Sequence, residues 1–568
     1  MSTATIIGSG PNGLSAAIVL AASGVRTTVL ERNRQIGGGC STAEVTRPGF
    51  LHDLGSSTYP LGATSPFYSS LPFTIPWIQP HAAFAHPLDD GTAVMLEHSI
   101  EETIDHLDAC DRQAYRSLIE PVVSSFSALV EEILGPIVHI PRSPLLLARL
   151  GLSALLPALS LAHSHFAGER ARALFAGVST HSILPLETTA SAAAGLTLLA
   201  AGHTRGWPIL RGGAQSLTDA LVRHLEDLGG RVETGREVTE LPLSDLVLAD
   251  ITPRQLLRIA GSHLSTDYRK QLERFRYGPG AFKIDYALNA AIPWTARECL
   301  RAATVHIGGS LEEIAQAERT LSPNKPFVLL GQPSLFDSSR APSGRHTAWA
   351  YCHVSNGSTE DYTESIERQI VRFAPEFRDC ILSRSVSTPK DLERWNSNLV
   401  GGDILGGAMN VRQLLFRPTR SLYRTSRSGR LKAGMALDDP TIFKSSQPFL
   451  YAPVRPSDNF ILSCFNTLHV DAHIAIDNKT IFLTSASNMG RVRAGNERLC
   501  RYTSRIHTRA AKLVALNNGD RHARGRKPRS QRRACLAGPD DDRIEMPSGN
   551  LSRVFFTPVD TAHAGLFS

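Results

Sequence analysis

Three glycines and one acid near the start of the chain have the types and the spacing needed to hold a dinucleotide. Gly8, Gly10 and Gly13 stand in the order G-x-G-x-x-G, and Glu31 follows eighteen positions after the third glycine. Gly8 permits a tight turn, Gly10 lets the backbone approach a pyrophosphate, and Gly13 lets a helix pack closely on a strand. The positive end of that helix attracts phosphates, and Glu31 can accept hydrogen bonds from both hydroxyls of an adenosine ribose.

The residues around these four predict a β-α-β unit. Residues 4–7 are apolar and partly β-branched, which is typical of a buried parallel strand. Residues 14–22 are rich in Ala and Leu and indicate a helix, and residues 27–30 predict a second strand that ends at the acid. Pro11 and Asn12, at the helix start, belong to the predicted cofactor-binding set. The alternative is a β-α-β unit whose turn binds nothing, and the complete order of elements favours the dinucleotide.

Stretches spread along the chain resemble one known family. Gly37, Gly38 and Gly39 follow the acid, and from about residue 3 to Thr425 further stretches match: IIGSGPNGLSAA, GFLHDLGSSTYPL, HSILPLE, GWPILRGGAQSLTDAL, GPGAFKIDYAL, FVLLGQPSLFD, HTAWAYCHV and GGDILGGA with RQLLFRPT. In this combination the chain resembles the FAD-dependent phytoene-desaturase and amine-oxidase family, and most of all its phytoene-dehydrogenase-like members.

The resemblance implies where the cofactor lies. Gly37, Gly38 and Gly39 would follow the pyrophosphate and ribityl chain of FAD, and the main chain of Val238 would contact the adenine. Arg32, next to the acid, joins the same set of cofactor-binding residues. This placement of the glycines, implied by the resemblance, favours FAD rather than NAD as the tightly held cofactor. Because a second glycine fingerprint for NADPH is absent from the sequence, no stable nicotinamide site is expected.

Length and composition predict more than one domain. A chain of 568 residues is too long for one ordinary core, and with 42% hydrophobic and 20% charged residues most of it is globular. The expected fold is α/β: a discontinuous, Rossmann-like FAD-binding domain with an inserted α+β substrate domain and an atypical, poorly ordered C-terminal tail. The predicted segments are residues 1–75, 205–261 and 396–425 for FAD binding, 76–204 and 262–395 for the substrate, and 426–568 for the tail.

Several local elements follow from the same pattern. Residues 89–91, Asp-Asp-Gly, predict a hairpin turn between two strands. Residues 217–222 predict a helix, 231–234 and 237–241 a pair of strands, and 245–253 a further strand of the FAD-binding domain.

The residues that would take part in catalysis are harder to predict. In a flavin dehydrogenation the flavin carries the reaction, and the protein supplies position, a dry cavity and electrostatics. Residues 282–286 alternate apolar and charged side chains, which is typical of a half-exposed strand. Lys283 could lie near the flavin and steer a water or oxygen molecule, although a solvated strand face or a structural ion pair with Asp285 is favoured. His52, in a loop with Asp53, is a second candidate, as a base.

Cysteine use and the start of the chain bear on the compartment. The eight cysteines are scattered without a C-x-x-C pair, which favours reduced thiols in the cytoplasm and gives no redox-active disulfide. No metal-ligand spacing is found, so no metal is expected. The first strand begins almost at Met1 and leaves no room for a targeting peptide, whereas the resemblance implies mitochondria for a eukaryotic member of the family.

One apolar stretch raises the question of a membrane. Residues 144–162 are interrupted by Arg149 and Pro157 and are too short to span about 30 Å of hydrocarbon. A buried helix pair is the favoured interpretation. A patch that rests on the membrane surface beside a channel for an apolar substrate is the alternative.

The sequence departs from the family after Thr425. Relatives continue with a strand, a turn rich in Pro and Gly, and a closing helix that faces the flavin, whereas residues 426–449 contain neither that turn nor that helix. Residues 426–568 carry 22 Lys and Arg against 12 Asp and Glu, a net charge of +10, which leaves −3 for the rest. The basic run 519–533 could attract nucleic acid or an anionic membrane or remain a solvated extension. A changed reading frame or splice boundary near codon 426 is our hypothesis for the tail.

Three functions therefore stand side by side. The first is an FAD-dependent desaturase or dehydrogenase that moves a hydride from a C–H bond of a small apolar or isoprenoid-like substrate to flavin N5 and passes electrons to oxygen or a quinone. The second is a flavin-depleted relative with a regulatory or binding role, because the closing motif is missing. The third is a basic-tailed protein that docks on a membrane surface or nucleic acid, although no specific nucleic acid is expected.

Overall fold

The structure is a computed structural model that describes residues 2–134 and 141–419, together with the backbone of three strands between residues 459 and 481. The chain divides into two compact units, Met1–Ser487 and Asn488–Ser568, and all described residues belong to the first. Apart from those three strands, the tail lies outside the described residues. The expectations of poor order, of a missing closing motif and of a functional basic run therefore fall there.

Eighteen strands are described: β1 (Thr3–Ile7), β2 (Arg26–Leu30), β3 (Thr42–Ala43), β4 (His52–Asp53), β5 (Trp77–Ile78), β6 (Phe84–Pro87), β7 (Ala93–Leu96), β8 (Ile209–Leu210), β9 (Arg231–Glu233), β10 (Leu246–Ala249), β11 (Gly280–Leu288), β12 (Thr304–Ile307), β13 (Val328–Gly331), β14 (His346–Val354), β15 (Ile381–Ser387), β16 (Asn459–Cys464), β17 (Val470–Ile476) and β18 (Lys479–Ile481).

Sixteen α-helices are described: α1 (Pro11–Ala22), α2 (Pro66–Ser70), α3 (Ile100–Asp105), α4 (Arg112–Ser124), α5 (Phe126–Ile133), α6 (Pro144–Ala154), α7 (Ala158–His165), α8 (Glu169–Ser179), α9 (Ala192–Arg205), α10 (Gln215–Asp227), α11 (Pro253–Ala260), α12 (Thr266–Glu273), α13 (Leu311–Thr320), α14 (Thr363–Phe373), α15 (Pro389–Trp395) and α16 (Val411–Leu415).

A small parallel sheet with strand order β10-β1-β2-β9 carries the glycine motif. Successive residues of a strand point to opposite faces. In β10, Leu248 therefore packs with α1 and α10, while Val247 packs with α11 and α12 on the other face. Helices cover both faces of the sheet, which is the Rossmann-like arrangement expected from the sequence.

Two local predictions in this region need correction. Residues 237–241 form an irregular segment instead of a strand, and β9 pairs in parallel with β2. His52 and Asp53 lie in the short strand β4, paired with β3, and not in a loop. The first difference arises because the partner of β9, strand β2, is about 200 positions away in the sequence. The predicted strand in 245–253 and the hairpin turn at 89–91 are present, as β10 and as the turn between β6 and β7.

A seven-stranded sheet with order β15-β11-β14-β13-β12-β6-β7 forms the second layer. Its pairs are antiparallel except for β6 and β12, which are parallel. One face packs against α4, α8 and α9, and the other against α14. The strands come from residues 84–96 and 280–387, between and after the segments that build the small sheet. The boundaries of the domain segments stay a prediction.

The expected half-exposed strand at residues 282–286 is wrong. Every residue of β11 is buried, because β14 and β15 flank it in the sheet and packed layers cover both faces. Lys283 and Asp285 do share one face, as the alternation predicts, but that face is an interior one. The favoured alternative of a solvated strand face is excluded.

The favoured interpretation of residues 144–162 as a buried helix pair is wrong for its first helix. α6 is partly or fully exposed along its whole length, with Leu145 85% and Leu152 77% exposed, whereas α7 buries Ala158, Leu161 and Ala162. The two helices meet at 91°. Within residues 2–134 and 141–419, no single helix is both long and apolar enough to cross a membrane, although this bent pair meets the criteria of length and composition.

Candidate functional site

A cleft opens at the carboxyl ends of β1, β2 and β10, the edge where open parallel sheets bind ligands. Six of the predicted cofactor-binding residues line it: Gly8, Gly10, Glu31, Arg32, Gly38 and Val238. Pro11, Asn12 and Gly13 lie just behind them, buried in the first turn of α1. The fold thus brings the glycine turn after β1 and the acid after β2 to the same cleft.

The glycine turn leaves no room for side chains at two positions. Gly8 has φ +104°, a value that favours glycine, and a Cβ on Gly13 would lie 2.3 Å from the carbonyl oxygen of Gly8. The N–H of Gly13 donates to Oδ2 of Asp250 at 3.0 Å, which fastens the start of α1 to the end of β10. The first turn of α1 therefore packs closely against the end of the sheet, which is the role of the third glycine in the dinucleotide fingerprint.

Glu31 is buried at the end of β2 and links two loops. Its Oε2 accepts from the N–H and the Oγ of Ser9 at 3.0 and 2.7 Å, and its Oε1 accepts from the N–H of Asn33 at 2.8 Å. A carboxylate offers about four lone-pair sites, of which the described residues use three. The geometry leaves room for a hydrogen bond from one ribose hydroxyl, whereas the sequence predicted two.

The loop after the acid connects this cleft to a second cavity. Gly37 and Gly38 have φ values of +117° and +52°, and a Cβ on Gly37 would lie 2.6 Å from the carbonyl oxygen of Cys40. Gly38 lines the first cleft, and Gly39, the next residue, lines the second cavity. The guanidinium of Arg32, which also lines the first cleft, donates to the carbonyl of Trp395 at 2.8 Å.

The second cavity lies on the interior face of the seven-stranded sheet and is partly open to solvent. Its walls are mostly apolar and aromatic, and they include Trp207, Trp349 and Tyr351 together with residues 54–58. A lining of this kind is typical of sites for small apolar molecules.

Lys283 brings a charge to this cavity as one partner of a buried ion pair. Its Nζ donates to both carboxylate oxygens of Asp285 at 2.5 Å. His52 lies behind the pair, with Nδ1 3.6 Å from Oδ1 of Asp285 and Nε2 2.8 Å from Oγ1 of Thr46. Burial lowers the pKa of His52 to about 4, against the opposing charge of Asp285. Both ring nitrogens of His52 face protein groups, which favours a structural role for this side chain.

Other residues of the site escaped sequence analysis. Arg340 bonds the carboxylates of Asp53 and Asp337 in the interior, and these acids in turn accept from the N–H groups of Ala214 and Gly212. His181 lines the second cavity and contacts His306. Local sequence carries no signal for the pairs Asp53–Arg340 and His181–His306, because their members are more than a hundred positions apart. Asp250 could have been predicted from the sequence, because it directly follows a strand of the FAD-binding domain.

The residues present fit the ADP half of FAD. The crowded glycine turn brings the backbone of Gly8 and Gly10 to the cleft, the Glu31 carboxylate keeps a site for a ribose hydroxyl, and Val238 borders the same cleft. Gly38 lines the cleft and Gly39 lines the aromatic cavity. An extended ligand such as FAD, with its ADP half in the cleft, would run past these two glycines toward the aromatic cavity.

Comparison with known proteins supports this geometry. The model of the NAD(P)-binding Rossmann-like domain family matches residues 6–71. A rat protein, pyridine nucleotide-disulfide oxidoreductase domain-containing protein 2, is 25% identical over 76% of this chain and 89% of its own length. The mouse protein of the same name is 24% identical with the same coverage. The chain is homologous to these proteins.

A solved structure agrees on the fold. An oxidoreductase from Methanosarcina mazei superposes with a TM-score of 0.50 at 16% identity, over 68% of this chain and 87% of that one. The resemblance inferred from the sequence and the α/β, Rossmann-like fold class are both confirmed, and the fold is one used by FAD- and NAD(P)-dependent oxidoreductases. The five cysteines whose side chains the structure describes (Cys40, Cys110, Cys299, Cys352 and Cys380) are free thiols.

Proposed function

We propose that the protein is an FAD-dependent oxidoreductase that removes a hydride from a C–H bond of an apolar or isoprenoid-like substrate. The observation that carries this proposal is the junction at Gly38 and Gly39, where a polar cleft suited to ADP meets an aromatic cavity. NAD and FAD would both place an ADP half in the cleft, and the resemblance of Gly37, Gly38 and Gly39 to residues along the ribityl chain favours FAD. When bound there, FAD supplies the hydride acceptor, flavin N5.

The residues of the chain bind, orient and exclude water. The start of α1 and Glu31 hold the pyrophosphate and the ribose, and the aromatic walls keep water from the substrate. Lys283 holds a positive charge at the cavity wall, where it can orient a water or oxygen molecule, and Asp285 fixes its position. We propose oxygen or a quinone as the electron acceptor.

An apolar substrate also suggests a place for the protein in the cell. The scattered cysteines favour the cytoplasm, and α6 exposes leucines that could rest on a membrane surface. We propose peripheral contact through α6, by which the protein would take its substrate from the bilayer.

Flavin occupancy of the purified full-length protein tests the main proposal. We expect a yellow protein whose released chromophore is FAD, and whose flavin is reduced when substrate is added. A Gly13→Ala variant should lose the flavin, because the new methyl group meets the Gly8 carbonyl at 2.3 Å. Gly151→Ala is the matched control, since its Cβ has open space around it. A colourless protein that FAD cannot reconstitute would instead support the flavin-depleted alternative.

A further inference from the structure

The aromatic cavity contains one pair of hydrogen-bonded imidazoles. His181 lines the cavity, and its Nε2 lies 3.2 Å from Nε2 of His306, which is fully buried on β12. One of the two nitrogens must donate and the other accept, so the contact fixes the orientation of the His181 ring. Because His181 lines the cavity, it is the member of the pair that a ligand there can contact.

Aromatic neighbours hold the pair in place. Trp207 lies edge-on to both rings, with centroids 5.4 Å from His181 and 5.7 Å from His306, and Phe84 packs on His306 at 4.4 Å. Such packing restricts both side chains to one rotamer and removes water from around them. The ring nitrogens of a histidine held in this way point in fixed directions.

Two hydroxyl groups extend this polar spot. Thr304 lies two residues before His306 on β12, and residues two apart on a strand share a face. Its Oγ1 lies 3.2 Å from Oγ1 of Thr58, and both threonines line the cavity. The cavity therefore has a polar end built from His181, Thr58 and Thr304, while Leu198, Leu329 and Trp349 form apolar walls.

The polar end offers hydrogen bonds without a charge. Burial lowers the pKa of His181 to about 3, and the neighbouring His353 acts in the same direction. Burial likewise lowers the pKa of His306 far below its usual value. Neutral imidazole and hydroxyl groups suit a neutral oxygen function better than a carboxylate, a phosphate or an ammonium group.

We propose that His181, oriented by His306 and assisted by Thr58 and Thr304, binds a hydroxyl or carbonyl group of the substrate. The substrate that this site would select is an apolar chain or ring system that carries a hydroxyl or carbonyl group, and not a pure hydrocarbon. This inference rests on the proposed function, because it takes the aromatic cavity as the substrate cavity. His181 acts here as a specificity residue and His306 as its positioning residue.

Two isoprenoids of matched skeleton test the proposal: farnesol, which carries a hydroxyl group, and farnesene, which does not. Their binding to the full-length protein can be followed by quenching of tryptophan fluorescence, since Trp207 and Trp349 line the cavity. We expect farnesol to bind about three- to tenfold more tightly, the effect of one net hydrogen bond. Equal affinity of the wild-type protein for both would overturn the proposal.

A variant and its control locate the effect. His181→Phe keeps a ring but loses both nitrogens, so the advantage of farnesol should vanish while farnesene binds as before. His203→Phe is the control, because His203 is a buried histidine that bonds Tyr115 and does not border the described cavity. A farnesol advantage that persists in His181→Phe contradicts the proposal.

Two further measurements keep the test decisive. If His181→Phe does not fold by circular dichroism, the wild-type ratio and a Thr304→Val variant, expected to lower that ratio, decide instead. The flavin absorbance of the same preparations reports on the proposed function. The ratio of affinities and the flavin content can therefore fail separately.

Discussion

The guanidinium of Arg340 pairs with the carboxylate of Asp53, which lies 287 positions earlier in the chain, at 3.1 Å between Nη2 and Oδ2. Both side chains are completely buried. Arg340 also bonds Asp337, and Asp53 accepts from the N–H of Ala214 just before α10. The buried guanidinium of Arg340 thus links three parts of the chain. They are the strand β4 that contains Asp53, the connection between β13 and β14, and the turn before α10.

Replacing Arg340 by Met should destabilise the protein by about 3–5 kcal/mol, because it leaves buried carboxylates without their partner. The free energy of unfolding in urea measures this loss. Arg231→Met is the control, since Arg231 is a largely exposed side chain of an ion pair, and its effect should stay within about 0.5 kcal/mol. Equal stability of the two variants would contradict the structural role of Arg340.

The same cluster predicts a loss of stability in acid. Burial alone would raise the pKa of Asp53 and of Asp337, but Arg340 and hydrogen bonds outweigh it and hold both values below the usual one. A depressed pKa in the folded state stabilises the protein above the unfolded value of about 3.9 and less as the pH falls further. The urea concentration at the midpoint of unfolding should therefore drop as the pH falls below about 4 and through the lowered pKa values of the two acids. This drop should be smaller in Arg340→Met, and identical pH profiles would refute the explanation.

A double-mutant cycle separates the two interpretations of Lys283. Lys283→Met leaves Asp285 buried and unpaired and should cost about 3–5 kcal/mol, and adding Asp285→Leu should recover most of that loss. If the pair is only structural, the double variant reoxidises reduced flavin with oxygen as fast as the wild type. We expect slower reoxidation, because the charge at the cavity wall is gone. Stopped-flow flavin absorbance measures this rate.

Exposed leucines on α6 predict membrane contact. Leu145→Glu together with Leu152→Glu should abolish co-sedimentation with phosphatidylcholine vesicles and leave the stability unchanged, since both side chains are mostly exposed. Leu243→Glu is the matched control, because Leu243 is 98% exposed elsewhere on the surface. Vesicle binding that survives the α6 changes would contradict the proposed contact.

Local patterns predicted the elements that depend on near neighbours. The glycine spacing, the helix after it and the strand ending at Glu31 form a continuous β-α-β unit, and the turn at residues 89–91 joins adjacent strands. Alternation correctly placed Lys283 and Asp285 on one face. It did not show that this face is interior, because burial depends on which strands and helices pack around β11.

The sequence by itself determined that a dinucleotide turn opens the chain, since the steric needs of Gly8 and Gly13 are met within a few residues. Only the tertiary structure decided that Gly38 and Gly39 lie between two cavities, that α6 exposes its leucines, and that Asp53 meets Arg340 and His181 meets His306. These contacts join residues more than a hundred positions apart. Their partners are selected by the order of strands in the sheets and by the packing of helices on them, and neither is encoded in any short stretch of the chain.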